Sequence, residues 1–341
     1  MSTSNDGAAL PVGAIPIDET QAEDDGDSSY GDESVSAGSI NSTGSISESI
    51  LEYREVHGRT FQNFKTTEYW APNDEQQNEQ LDIGHHMMTL LLDGKLFVAP
   101  IGSNPQKVID IGTGTGIWAI DFADQFPSAE VIGTDLSPIQ PTWVPPNLKF
   151  ELDDAQLEWT YRPNSFDFVH LRTLQGSIGD WPAIYSQAFK CIKPGGWIQD
   201  MEMSIMWKSD DGTVTDDHLL NEWSRISIEA AKKIGKTFEN AQFTKENMIK
   251  AGFVDVVEQK YKMPLGGWSS DPKLKEIGRW NALYFKQGIE GMCLYLLNVI
   301  MGWQYDEVQV YMAELRTALF SRTIHPYYEI YVVYGRKPEE T

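Results

Sequence analysis

The sequence predicts an α/β protein with a doubly wound, mostly parallel sheet, and three observations carry that expectation. From Val108 onward, short apolar runs alternate with stretches whose apolar residues recur at helical spacing, and such alternation implies parallel crossovers. A glycine-rich turn, Asp110-Ile111-Gly112-Thr113-Gly114-Thr115-Gly116, lies where the first strand-like run passes into the first helix. A late β-rich run, Glu329–Tyr334, would pair at the sheet beside its sixth member.

In order, residues 1–48 read as a disordered acidic tail: residues 1–50 hold ten Asp/Glu, no Lys or Arg, eleven Ser and a single aromatic, Tyr30. So little apolar surface does not offset a backbone entropy of roughly 1–2 kcal/mol per residue. Ser45 and Glu48 have capping-box spacing ahead of Ile50, Leu51 and Tyr53, so residues 49–100 are expected as a helical N-terminal cover. Within the domain at 101–341, Lys107–Ile111, Glu130–Thr134, Leu148–Leu152 and Phe166–Leu171 read as strands. Ile117, Trp118, Ile120, Ala123 and Phe126 give a helix that Pro127 stops. A helix from about Trp181 to Ile192 ends at a Lys193-Pro194-Gly195-Gly196 turn before a strand at Trp197–Met203. Asn221–Lys236 and Phe243–Ala251 look helical and Phe253–Tyr261 strand-like. Lys273–Phe320 forms the body of a helical insertion at about 265–322, ahead of the final strand.

The formal charge is −23, from 50 acidic and 27 basic side chains. That balance argues against nucleic acid or an anionic membrane as partner, since both require a positive surface field. No run of about eighteen apolar residues and no secretory leader is visible, and two widely separated cysteines, Cys191 and Cys293, make neither a disulfide framework nor a zinc site. A cytoplasmic protein is expected, with a nuclear one as the alternative.

The glycine loop carries the strongest chemical signal. Glycines permit the tight turn and let a ligand approach the N–H groups at a helix N-terminus. The spacing is Gly-x-Gly-x-Gly, not the Gly-x-Gly-x-x-Gly of dinucleotide sites. Asp110 would repel a pyrophosphate but suits a ligand bearing an ammonium or a sulphonium. Asp135 closes the next strand, twenty-three residues after Gly112, where an acid accepts both hydroxyls of an adenosine ribose; the alternative is an Asp that caps the following turn. Asp153 and Asp154 end the third strand. Asp154 could bond an adenine amino group with Ala155 supplying backbone, while Asp153 faces solvent.

Taken in series, Val108–Trp118, Gly133–Pro138, Leu152–Ala155, Ser165–Arg172 and Ile192–Gly196 resemble the five ordered motifs of class I S-adenosylmethionine-dependent methyltransferases. Upstream, Tyr53–Phe61, Tyr69–Glu75 and Leu81–His86 resemble the fungal subfamily named for the secondary-metabolism regulator LaeA, whose members act either as regulators with velvet-type partners or as methylating enzymes in metabolite pathways. The resemblance implies a Rossmann-like sheet of about seven strands with the last antiparallel, and S-adenosyl-L-methionine as cofactor. It assigns Gly112, Gly114 and Gly116, with Thr113 among them, to the cofactor's amino-acid moiety. Asp110 then faces the ammonium, Asp135 with Leu136 the ribose, and Asp154 with Ala155 the adenine. Arg172, at the end of the fourth strand, is assigned to polar substrate or cofactor contact. His170 beside it has core packing as an equal alternative. A nicotinamide-dependent oxidoreductase of similar fold is opposed by the glycine spacing and by Asp110.

For the chemistry, the candidate base is His86. On a helix His85 and His86 point about 100° apart, and Leu81, Met88 and Leu92 share a face with His85, which leaves His86 to line the pocket. Adjacent histidines do not converge on a metal. Tyr69 and Trp70 would stack over the cofactor or latch the cover to the sheet. Trp268, Trp280, Tyr284, Phe285, Met292, Tyr295 and Trp303 are expected mostly as core, the rest roofing a pocket for an aromatic or polyketide-like small molecule.

Overall fold

A computed structural model of the chain describes residues 13–18, 52–64 and 66–339; the expected cap at Ser45 and Glu48 lies outside them. The cover begins as a hairpin rather than a helix: β1 (Arg54–Val56) pairs antiparallel with β2 (Arg59–Phe61). The two-residue turn His57-Gly58 has φ of 49° and 80°, the left-handed pair that matches strand twist in a tight hairpin. Helix α1 (Glu75–Leu91) follows, its first turn capped by the Asp74 carboxylate accepting from the Gln77 N–H. Arg59 grips the same carboxylate at 2.5 and 2.8 Å, tying hairpin to helix.

The sheet comprises β3 (Lys107–Ile111), β4 (Glu130–Asp135), β5 (Leu148–Leu152), β6 (Phe166–Arg172), β7 (Ile192–Met203), β8 (Val254–Pro264) and β9 (Tyr327–Arg336), in the order β5-β4-β3-β6-β7-β9-β8. The seven strands are parallel except β9, which runs antiparallel to both β7 and β8. Alternate residues face opposite sides. Val108, Val131 and Phe168 pack on Trp118, Ala119 and Phe122 of α2 (Ile117–Gln125). Ile109, Val169 and Leu171 pack on Ile184, Tyr185 and Ala188 of α3 (Trp181–Cys191). Each large apolar side chain so buried contributes about 1.5–3 kcal/mol.

The expected turn at Lys193–Gly196 is not a separator. β7 starts at Ile192 directly after α3, and Phe166 pairs with Ile192 before the register shifts to Phe168 with Trp197. Gly195 and Gly196 bond to Lys337, so this irregular stretch is held by the end of β9.

A third core joins α1, α4 (Leu219–Lys233), α6 (Pro272–Leu294) and α7 (Tyr305–Leu319) to β8 and β9 through Met87, Leu91, Ile277, Phe285, Leu315 and Ile330. α5 (Thr244–Ala251) packs beside α3. The expected helical stretch over 273–320 comprises two helices separated by a π-type turn at Tyr295–Ile300 and by residues 301–304. One correction concerns the tail: Gly13–Asp18 is not disordered but docks on the folded domain, where Ile15 is buried with Trp268, Leu274 and Tyr327. No helix of the described residues is long and apolar enough to cross a membrane.

Candidate active site

The glycine loop lies at the carboxyl edge of β3, where doubly wound sheets open a crevice. Gly116 holds φ of 81° as the residue before α2, and a Cβ there would sit 2.2 Å from the Phe150 ring, so any other residue must displace that ring. The loop is pinned from outside. Gln140 Nε2 donates to the Gly114 carbonyl at 2.6 Å, and Thr115 Oγ1 donates to Asp82 of α1 at 2.7 Å. Asp135 ties it to β4, accepting from the Gly114 N–H at 2.8 Å and the Ser137 N–H at 2.9 Å.

Two adjoining cavities run along this edge. They share Leu81, Gly112, Gly114, Arg172 and Thr173. The first is bounded by Asp110, Thr113 and, from α1, Gly84 and His85. Tyr69, Asp135, Leu136, Asp154 and Ala155 bound the second. The structure thus brings together every residue expected at a cofactor except Gly116, which shapes the loop from behind without reaching either cavity. Asp153, expected to face solvent, also borders the second cavity.

Burial sets the electrostatics. Loss of solvent pushes the Asp135 carboxyl up to about 6, against the pull of its two backbone donors. Asp110 accepts from Thr113 Oγ1 at 2.6 Å and from His170 Nδ1 at 2.7 Å. His170 is buried and stacked on Trp118 at 3.7 Å, and burial lowers its pKa. It supports Asp110 from within the core. Asp154 accepts from Thr66 Oγ1 at 3.0 Å, and Lys236 Nζ bonds Thr67 Oγ1 and Gln156 Oε1, each at 2.7 Å; the cover is thereby fastened over the second cavity.

His85 is buried as expected but also reaches the cleft, and His86, expected to line the pocket, does not. His85 is buried, lines the first cavity and spans Asp121 Oδ2 at 3.0 Å and Arg172 Nη2 at 3.2 Å. A guanidinium only donates, so His85 Nδ1 accepts and the Nε2–H donates to Asp121. Burial and the neighbouring Arg172 push its pKa down to about 3, so the ring is neutral. His86 is exposed, borders neither cavity, and meets the edge of Trp280 at 4.4 Å. The helical register holds; the face shared with Leu81 and Met88 is cleft wall as well as core.

Behind the cleft lies a third cavity, and Tyr284 belongs to both it and the first. Its walls include Trp70, Trp207, Trp223, Phe238, Phe285 and Tyr328, and no Asp, Glu, Lys, Arg or His lines it. Trp70 Nε1 and Gln175 Oε1, among its lining, are buried without a hydrogen-bond partner. Tyr69 and Trp70 therefore part company, one facing each cavity. Of the seven insertion residues singled out in the sequence, Tyr284, Phe285 and Met292 reach this cavity. Trp268 packs on Ile15, Trp280 on His86, Tyr295 on Phe61 and Trp303 on Tyr311. Among the described residues no group of three His, Cys, Asp or Glu could hold a metal ion.

A glycine-rich turn, an acid at the end of β4 and a second acid just after β5 line this crevice. Residues 83–258 match a family described as a methyltransferase domain. The chain is 36% identical over 295 residues to methyltransferase pytC of Aspergillus terreus, covering 86% of this chain and 91% of that protein. It is 34% identical to the secondary metabolism regulator LAE1 of Cochliobolus heterostrophus, over 83% and 94% of the two chains. To the protein-methionine methyltransferase laeA of Emericella nidulans it is 30% identical, over 84% and 77%. Among solved structures it matches Haemonchus contortus phosphoethanolamine N-methyltransferase 2 with a TM-score of 0.44 at 20% identity, over 77% of this chain and 53% of that one, a likeness too loose to bear on the site. The chain belongs to the methyltransferase-domain family: it is an S-adenosylmethionine-dependent methyltransferase with relatives in fungal secondary metabolism.

Proposed function

We propose that the protein methylates a neutral, planar small molecule, aromatic or polyketide-like, held in the cavity behind Tyr284. Bound S-adenosylmethionine supplies a methyl carbon already activated by a sulphonium. In this reading Asp135 with Leu136 holds the ribose hydroxyls, Asp154 and Ala155 the adenine, and Asp110 the ammonium, with Gly112, Thr113 and Gly114 beneath the amino-acid end. Gly116 keeps the loop in shape. Arg172, steadied by His85, presents its remaining N–H groups to the same end of the cleft. Tyr69 closes the adenosine side. The cover, the sheet and the 265–322 insertion then divide the labour: the cover shuts the cleft, the sheet holds the cofactor and the insertion chooses the acceptor.

The observation that carries this reading is the aromatic cavity, free of charged side chains, that has Tyr284 as a wall in common with the cleft. Loss of solvent pushes the Tyr284 hydroxyl up to about 12, so it donates hydrogen bonds and does not serve as a base at neutral pH. With no base in the walls, the chain's contribution is orientation of the acceptor about 3 Å from the methyl carbon. An acceptor with an unprotonated lone pair needs no more than that. Trp70 Nε1 and Gln175 Oε1 offer one donor and one acceptor to a carbonyl and a hydroxyl or N–H of such a ligand.

The test is incubation with S-adenosylmethionine and a panel of planar aromatic amines, with phenols and aliphatic amines for comparison, read by mass spectrometry for a single added methylene. Transfer to the neutral aromatic amines is expected. Failure with all of them, while S-adenosylhomocysteine still binds, rejects the small-molecule reading. A second reading, a regulator acting on or with proteins such as velvet-type partners, is favoured by the regulators among the relatives and by Met203 and Met292 in the cavity lining, since a thioether also needs no base. Methylated protein in place of methylated small molecules would support it.

A further inference from the structure

Gly13–Asp18 lies extended in a groove formed by the start of β9, the 265–271 turn and the loop after β7. Ile17 bridges Ser269 in antiparallel fashion. The Asp18 N–H donates to the Trp268 carbonyl at 2.9 Å and the Ser270 N–H to the Pro16 carbonyl at 2.8 Å. The Ile15 N–H donates to Asp210 Oδ2 at 2.7 Å, and Lys262 Nζ to the Gly13 carbonyl at 3.0 Å. At the far end Asp18 pairs with Lys275 at 2.5 Å. Ile15 is 5% exposed, its side chain sunk among Trp268, Leu274 and Tyr327.

We propose that this groove is a docking site for an extended peptide, that its resident occupant is the chain's own Gly13–Asp18, and that the docked segment straps together two walls of the acceptor cavity. The recognition is that of strand addition, in which main-chain bonds give affinity and a pocket for one side chain gives specificity. Pro16 holds itself and the preceding residue extended, and the bonds here use its carbonyl, not the N–H it lacks. The segment belongs to the same chain as the groove, so its docking is intramolecular and favours the chain's own copy over a free one.

The strap touches both sides of the cavity frame. On one side, Asp210 belongs to the loop that carries Ile205 and Trp207, and it also accepts from Lys262 at 2.6 Å and the Tyr327 hydroxyl at 3.0 Å. On the other, Trp268 and Leu274 lead into α6, which carries Tyr284 and Phe285. Nothing in the strap touches the glycine loop, so its effect falls on the acceptor side alone.

The test uses the full chain with Ile15→Asp and a fluorescent peptide of residues 12–20. By anisotropy the peptide should bind the variant and bind wild-type protein about tenfold or more weakly, because there the groove is filled. Hydrogen exchange should quicken in the variant at residues 204–214 and 265–275, stay unchanged at 112–118, and slow again when the peptide is added. Should Ile15→Asp fail to fold, Asp18→Lys weakens the strap at its exposed end, and Asp18→Lys with Lys275→Asp restores it. The proposal is overturned if the peptide binds neither protein, if it binds both equally, or if exchange at 204–214 and 265–275 does not respond.

Discussion

The proposed cofactor cleft and the proposed acceptor cavity share Tyr284 and little else. The cleft is built from strand ends, one glycine turn and a face of α1, and its polar groups are held by backbone N–H groups at Asp135 and by side chains distant in sequence at Asp110, Asp154 and Arg172. The cavity is built from side chains on the 69–70 segment, β7 and the loop after it, α4, α6 and β9, and its walls are apolar. In the proposed reading, a site that grips one invariant molecule is set by a backbone turn and a few fixed carboxylates. A site that must choose among acceptors is made of side chains, which exchange without disturbing the sheet. Damage to the two should therefore separate binding from stability.

The largest effect is expected from the cavity. Phe285 is buried in the third core and faces the cavity, so Phe285→Ala should cost about 3 kcal/mol of stability, at the low end for such truncations, while S-adenosylhomocysteine affinity at 20 °C stays within about twofold. Denaturant unfolding and calorimetry check both halves; a parallel fall in cofactor affinity would mean that the two sites are mechanically one.

Next comes Asp135→Ala, expected to weaken cofactor binding by ~1–3 kcal/mol with a smaller change in stability. The pH dependence has a definite sign. Ribose hydroxyls donate to the ionised carboxylate, and this carboxyl titrates at about 6 in the free protein, so affinity should fall as pH drops below about 6, a slope that Asp135→Asn removes. Free protein behaves oppositely. A carboxyl raised by folding stabilises the fold while protonated, below its unfolded pKa of about 3.9, and that contribution is lost as pH rises through about 6. Melting curves of wild type and Asp135→Asn from pH 4 to 7 show whether this is so.

The smallest effects distinguish the two histidines. His85→Ala frees Arg172 and Asp121 and should lower cofactor affinity several-fold, about 1 kcal/mol. His86→Ala should change stability by less than about 0.5 kcal/mol and leave turnover alone, as a surface substitution does. Equal effects would show that the cleft does not end at His85.

Much of the cleft was legible because its signals are local. Gly112–Gly116 follows a strand and opens a helix, and Asp135 and Asp154 stand at strand ends that periodicity alone locates. The histidines were misassigned for a definite reason: helical period says which residues share a face, not whether that face meets core or cleft, and here Leu81, Gly84, His85 and Met88 meet both. The cavity was legible only as an excess of aromatics. Tyr284 and Trp303 look alike in sequence, and only the packing of α6 against α1, and of the 301–304 segment against α7, sends one to the wall and the other to Tyr311. The hairpin at 54–61 was missed because its turn is His-Gly, a pair with less turn character than Asn-Gly. Ile15-Pro16-Ile17 was passed over because composition averaged across fifty residues hides six that dock.

The place of β9 bears on how the chain is made. Residues 327–336 lie between β7 and β8 and supply partners to both, from Trp197 with Arg336 to Pro264 with Tyr327. During synthesis, then, β7 and β8 leave the ribosome long before the strand that joins them, each with an unpaired edge. The half of the sheet that binds the cofactor can assemble early from parallel neighbours, but the acceptor side waits on its last contributor. Such exposed edges invite pairing with other chains, which makes the interval between residue 264 and residue 336 the period in which a nascent copy most needs a chaperone.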